Sequence, residues 1–310
     1  MVGATEAGIL VALAGGSDGK VATISPAVYL GVDDGPGKRT GLQAFLENND
    51  VSIMLVPGAV TPEIQGALIA FCENKKSCFA ILDLPVERTN ATDVADYRGM
   101  YDSTYAACYH PWIQVFDPLL KRNAFFPPSG AMAGIYARTD TERGVSKAPA
   151  NEIVRACTGL STTYNEGEQD ILNPQGVNLI RSFTGRGIRV WGARTISSNG
   201  LWKYINVRRL FIYVEESIKA NTNWVVFEPN SEVLWSRVKR TIEMFLASCW
   251  SEGMLAGTSP AEAFFVECGR TTMSQDDIDN GRLICMIGIA PVKPAEFVIF
   301  RITQHTASSE

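Results

Sequence analysis

Cys78-Phe79-Ala80-Ile81-Leu82-Asp83-Leu84-Pro85 is a nearly unbroken apolar run that stops at a proline. A half-exposed strand alternates apolar and polar side chains, so this run predicts a strand covered on both faces. Val51-Ser52-Ile53-Met54-Leu55-Val56 has the same character and is closed by Pro57-Gly58. Between them, Thr61-Pro62-Glu63 supplies a capping hydroxyl, a first-turn proline and an acid near the positive helix end. Ile64, Ala67, Leu68 and Phe71 then form that helix's apolar stripe, and a second helix is expected from Ala91 to Tyr105. Strand, helix, strand and helix in this order imply a parallel pair of strands.

The fold class expected is mixed α/β (α+β), in two domains, because the chain has 310 residues. Prolines and glycines gather between Pro118 and Gly130, which places the boundary there: 1–125 as an N-terminal α/β domain and 126–310 as a second domain. Apolar residues make up 46% and charged residues 20%, a balance that excludes intrinsic disorder. A net charge of −5 argues against a nucleic-acid binder, which needs a basic face. No stretch reaches the length of a membrane helix. Met1 to Gly16 is apolar but has no positively charged leader, so it reads as structure and not as a signal peptide. Seven cysteines without paired spacing read as reduced, buried thiols.

In the second half, Asn206 is positioned to cap a helix burying Val207, Leu210, Phe211, Val214 and Ile218. Trp224-Val225-Val226-Phe227 reads as a strand. A long amphipathic helix follows to about Leu255, with Leu234, Val238, Ile242, Phe245, Cys249 and Trp250 inside and Arg237, Lys239 and Arg240 beginning a basic outer side. Further strands are expected at Ala263–Val266 and Leu283–Ile289, with a capped turn at Ser274–Asp277 between them.

No catalytic apparatus emerges, and no cofactor or metal is expected. Gly35-Pro36-Gly37-Lys38 resembles a phosphate loop, but Val32 stands where the first glycine belongs and Arg39 where Ser or Thr belongs. Asp276, Asp277 and Asp279 lack the terminal glutamate of a calcium loop, and a helix N-terminal turn explains them. No G-x-S-x-G elbow is present, and His110 reads as a packing residue. Arg181, Arg186, Arg189 and Arg194 surround Gly185 and Gly187 in a basic loop, read as a salt-bridged contact between subunits or domains.

The most informative stretch is Glu296-Phe297-Val298-Ile299-Phe300-Arg301-Ile302. Its five large apolar side chains carry on the order of 10 kcal/mol of gross burial energy, and both faces of the strand are apolar. Such a strand invites pairing if left as an exposed edge. It fits either a central strand of its own domain or a strand added to a neighbour's sheet.

Several blocks resemble contractile tail sheath proteins of phages and phage-tail-like injection particles. They are Phe126–Gly130, Ala137–Gly144, Lys147–Asn151, Leu172–Pro174 with Gly176–Asn178, Gly185–Thr195, Trp202–Leu210, Trp224–Asn230, Gly281–Cys285 and Lys293–Ile299. Tyr29-Leu30-Gly31-Val32-Asp33 matches more loosely. The resemblance implies a structural polymer and not an enzyme: hexameric rings stacked helically around an inner tube protein, ending at baseplate and tail terminator proteins. It implies assembly in the bacterial cytoplasm and contraction driven by energy stored in the extended packing. Neither nucleic-acid binding nor direct membrane insertion is expected. Glu296 to Ile302 is the expected inter-subunit strand, and Arg237, Lys239 and Arg240 are the expected inner-tube contact. Members usually begin with an extended arm carrying a Pro-Gly-Val-Tyr-like strand, and no such motif precedes Ala4; a chain without it would lack one of two inter-subunit links. The alternatives are a non-polymerising baseplate or terminator component and a nucleotide-handling α/β enzyme using the Gly35–Lys38 turn.

Overall fold

A computed structural model describes residues 15–16 and 24–296. In chain order the elements are α1 (Pro26–Leu30), β1 (Ile53–Leu55), α2 (Pro62–Lys75), β2 (Phe79–Asp83), α3 (Ala91–Arg98), β3 (Ala106–His110), β4 (Ile113–Asp117), β5 (Arg122–Phe126), α4 (Ser129–Arg143), β6 (Cys157–Leu160), α5 (Glu166–Leu172), β7 (Val177–Phe183), β8 (Gly187–Val190), α6 (Ile205–Asn221), α7 (Glu232–Ser251), α8 (Pro260–Ala263), β9 (Phe264–Cys268), α9 (Gln275–Asp279) and β10 (Cys285–Ile289). Most of Met1–Gly16, and all of the strand expected from Phe297 to Ile302, lie outside the described residues.

The central sheet has the order β1-β2-β3-β7-β8, parallel through β7 with β8 antiparallel at the edge. Every residue of β2 is buried, as its sequence requires. Successive side chains go to opposite faces: Ala80 and Leu82 join α2, α3 and α5 on one side, while Phe79 and Ile81 join α4 and α6 on the other. β3 does the same with Cys108 against Tyr109. A third core, formed by α6, α7, β9 and β10, lies beyond the sheet. α6 belongs to two cores at once, with Ile205 and Ile212 on the sheet and Leu210 and Val214 on α7.

Asp83 shows how β2 places its neighbour. Its buried carboxylate accepts the Ser129 N–H (2.8 Å) and Ser129 hydroxyl (2.7 Å) at the start of α4, and the Gly58 N–H (3.0 Å). Burial raises its pKa, and the three bonds pull the other way. The carboxylate therefore does for α4 what a capping residue would do, and it ties the helix start to the strand.

Several expectations change. The helix from Ala91 ends at Arg98, because Gly99 caps it and Ala106 must come into register with Ala80. Thr61 precedes α2 without a side-chain cap bond. Asn206 lies inside α6, where its buried amide donates to the Ser146 carbonyl (2.8 Å) and the Val292 carbonyl (3.1 Å). Trp224–Phe227 is not a strand: Asn223–Val225 makes one 3-10 turn in the link between α6 and α7, and no strand lies alongside among the described residues. Phe227 there is fully exposed at a φ of 70°. Residues 118–121 form the turn between β4 and β5, with Asp117 accepting the Leu119 and Leu120 N–H groups (2.8 and 3.1 Å). The sheet draws β1–β3 from before residue 125 and β7–β8 from after it, so the division expected there does not separate its hydrogen bonds.

Replacing Asp83 by alanine removes three bonds to a buried charge and is expected to cost about 2–3 kcal/mol, read as a lower urea midpoint. Asp83→Asn, which keeps the shape, loses less. An alanine variant as stable as the parent would disprove the capping role.

Candidate assembly surface

The second residue of β7 is Asn178, a fully buried amide. It accepts the Arg194 N–H at 2.7 Å and donates to the Arg194 carbonyl at 2.7 Å and the Cys108 carbonyl at 3.1 Å. Gly192 permits this approach, since a Cβ there would lie 2.8 Å from the Asn178 Oδ1. Arg194 in turn forms an antiparallel bridge with Tyr204. The backbone thus fixes two side chains that point at one acceptor, Glu296.

Arg194 holds Glu296 with two parallel bonds, Nε to Oε1 and Nη2 to Oε2, both 2.7 Å. The Asn173 amide donates to Oε1 (2.7 Å), the Tyr204 hydroxyl to Oε2 (3.0 Å), and the Lys203 ammonium stands 3.5 Å away. Burial alone would raise this carboxyl, but Arg194 first, then Asn173 and Tyr204, hold it down to about 2. Upstream, the Val292 N–H donates to the Met254 carbonyl (3.3 Å) and Pro291 bridges Leu255. The segment leaving β10 is therefore pinned along its path, and Phe297 follows directly from the clamped residue.

The ribbon β9–β10 is two-stranded and antiparallel. Val266 and its strand neighbours Phe264 and Cys268 pack toward α7, as do Cys285, Ile287 and Ile289. Phe265 and Met286 face outward and are about half exposed, at 52% and 53%. Gly288 lets the Phe265 ring lie across β10, since a Cβ there would meet that ring at 2.1 Å. Among the described residues, no backbone bond joins the outer edge of 264–268 or of 285–289 to another strand. Two bare edges on an apolar ribbon form a template for a further strand.

Two consecutive arginines lock α6 in place. Arg209 grips Asp140 of α4 with bonds of 2.8 and 2.6 Å and lies over Tyr136, whose hydroxyl meets that of Tyr109 at 2.7 Å. Arg208 points elsewhere, stacked 3.6 Å from the Trp202 ring centroid and 4.3 Å from that of Tyr105, and donates to the Thr104 hydroxyl (2.9 Å). These contacts join the helix to the sheet and to α4 at once.

The other candidate residues have separate surroundings. Arg237 stacks on Trp224 at 4.2 Å, Lys239 pairs with Glu243 at 3.8 Å, and Arg240 borders a hollow with Met244, Phe264 and Phe265. Of the four loop arginines, Arg194 is salt-bridged, whereas Arg181 and Arg186 lie over Phe183, and Arg189 donates to the Asn151 carbonyl (2.7 Å). Gly31 to Thr40 closes as a structural turn, with Asp33 paired to Arg39 at 2.7 Å. Ser274 and Asp277 form a reciprocal cap, and Arg282 engages Asp276 and Asp277 at 2.6 and 2.8 Å. His110 is fully buried beside Tyr164, and burial takes its pKa down to about 4 with the Arg88 backbone pulling against it. Among the described residues, no group of three metal-binding side chains occurs. Sequence reasoning missed the roles of Asn173, Tyr204 and Asn178, because these act on partners remote in the chain.

Residues 34–196 match the family model for the phage tail sheath protein central domain, and residues 197–305 the model for the phage tail sheath C-terminal domain. A putative prophage major tail sheath protein of Pseudomonas aeruginosa (strain UCBPP-PA14) is 26% identical over 86% of this chain and 69% of its own length. The sheath of an extracellular contractile injection system, PVC, solved in its contracted state, is 35% identical with a TM-score of 0.77, covering 86% of this chain and 75% of that one. A chain of the anti-feeding prophage baseplate structure is 38% identical with a TM-score of 0.72, covering 82% and 69%. The Glu296 clamp joins the two matched regions, since Arg194 and Asn173 lie in the first and Tyr204 and Glu296 in the second.

Because Glu296 has a lowered pKa, its stabilisation is full above the ordinary carboxyl range near 4.5 and is lost as pH falls through about 2. Glu296→Gln is expected to lower stability at neutral pH by about 1.5–3 kcal/mol, and the gap from the parent closes across that acid range. Urea titrations at several pH values check this; equal stability at pH 7 would show the clamp to be inert.

Proposed function

This chain belongs to the phage tail sheath family, and on that premise we propose that its copies are joined by strand addition at the β9–β10 ribbon. It is a structural subunit of a contractile sheath and part of a tail particle. The observation that carries the joining mechanism is the ribbon's pair of outer edges, which have no strand alongside among the described residues. The chain's own segment Phe297–Ile302, entered from the clamped Glu296, supplies the added strand to a neighbouring copy. Backbone bonds give such a link its strength, and the alternating apolar side chains fix its register.

In the same reading the copies form hexameric rings stacked helically around an inner tube protein, with baseplate and terminator proteins at the ends, after assembly in the bacterial cytoplasm. Arg237, Lys239 and Arg240 on α7 contact the tube. Contraction moves each subunit as a body, because the paired arginines of α6 and the Glu296 clamp bind its parts together. The links between subunits bend while their backbone bonds persist. No chemical reaction is assigned to the chain.

Ile299→Asp with Phe300→Asp places two charges in the added strand and is expected to abolish polymers while leaving circular dichroism unchanged, checked by negative-stain microscopy. Intact tubes from that double variant would count against the link. Reversing Arg237, Lys239 and Arg240 to glutamate is expected to reduce assembly on purified tubes, measured by co-sedimentation, while circular dichroism shows the monomer still folded. Undiminished co-sedimentation would remove α7 from the tube contact.

A further inference from the structure

We infer that Cys268 and Cys285 are an oxidation site, where hydrogen peroxide closes a disulfide across the β9–β10 ribbon. The register sets the two residues directly opposite each other. Ala290 donates its N–H to the Ala263 carbonyl at 2.8 Å, one step beyond the paired Ile289 and Phe264. Hydrogen-bonded and non-hydrogen-bonded pairs alternate along an antiparallel ladder, so Cys285 and Cys268 occupy a non-hydrogen-bonded pair. Such pairs bring Cα atoms to about 4.5 Å, within the span that a disulfide bridges.

The side chains at 264, 266 and 268 and at 285, 287 and 289 share the face toward α7, so both sulfurs lie on one side of the ribbon. Both cysteines are free and only partly buried. The other close pair differs: Cys72 and Cys78 hold their sulfurs 3.5 Å apart, but both are fully buried, which denies a peroxide access. Burial raises the Cys268 and Cys285 thiols, the latter to about 12, and Lys239 of α7 pulls both the other way. The reaction therefore accelerates as pH rises, since the thiolate is the attacking species.

One thiolate attacks the peroxide O–O bond and, with one proton taken up, becomes a sulfenic acid as the first water leaves. The second thiol then attacks the sulfenic sulfur, and the second water leaves with its proton. Two thiols and one peroxide thus give one disulfide and two waters. The bond spans a position without ladder bonds, so it leaves the ladder and both outer edges untouched. It prevents β9 and β10 from separating. This inference rests on register and exposure, and it stands whether or not neighbouring copies add a strand to the ribbon.

The test treats the purified full-length chain with hydrogen peroxide, blocks remaining thiols with iodoacetamide and maps tryptic peptides without reduction. Trypsin cuts after Arg270 and Arg282, between the two cysteines. The expected product is a linked peptide pair lighter by about 2 Da than its two thiol peptides, separated by dithiothreitol. Fragmentation assigns the bond to Cys268 and not to Cys249, which shares its tryptic peptide. Cys285→Ser is expected to abolish the pair, and oxidation of the parent to slow hydrogen exchange at 264–268 and 285–289. Alkylation of both cysteines after prolonged oxidation, or a bond from Cys268 to any other cysteine, would overturn the assignment.

Discussion

A two-stranded ribbon cannot satisfy its own outer edges. Half of the backbone groups on β9 and β10 point away from the other strand, and an isolated pair of strands is marginal in water. Here α7 covers one face with Leu234, Val238 and Ile242, while the edges have no strand alongside among the described residues. In the sequence, the apolar run Phe297–Ile302 follows directly after the clamped Glu296. The rest of the molecule positions these two features relative to each other.

That positioning runs through a few polar contacts at the junction of the two family regions. Asn178 fixes the backbone of Arg194, Arg194 fixes Glu296, and Asn206 holds the Val292 carbonyl between them. Arg208 binds α6 to the residues leading into β3, and Arg209 binds it to α4. A buried bidentate pair resists rotation better than apolar packing, which is non-directional. The result is a rigid body with a fixed point of departure for its C-terminal segment, as suits a subunit that must move without losing its neighbours.

The sequence made the central sheet readable because its strands are buried on both faces. Phe79 to Leu82 are apolar without a break, as burial on both faces requires. α7 and the Ser274 cap were equally legible from spacing. Trp224–Phe227 misled for a different reason: Trp224 and Val225 pack on the third core while Val226 and Phe227 are exposed, so hydropathy pointed to a strand where the chain turns. Asn206 had the residue type of a cap but works inside its helix. The clamp was invisible to spacing, since its donors lie 92 to 123 residues from Glu296. The blocks resembling sheath proteins contained Asn173, Arg194, Tyr204 and Glu296 without showing that they meet.

The most direct measurement is a structure of the assembled polymer resolved well enough to trace residues 297–302. The account predicts that this segment crosses to an adjacent copy and forms ladder bonds with the outer edge of 264–268 or 285–289. A segment that pairs within its own copy, with both ribbon edges facing solvent in the polymer, would contradict it.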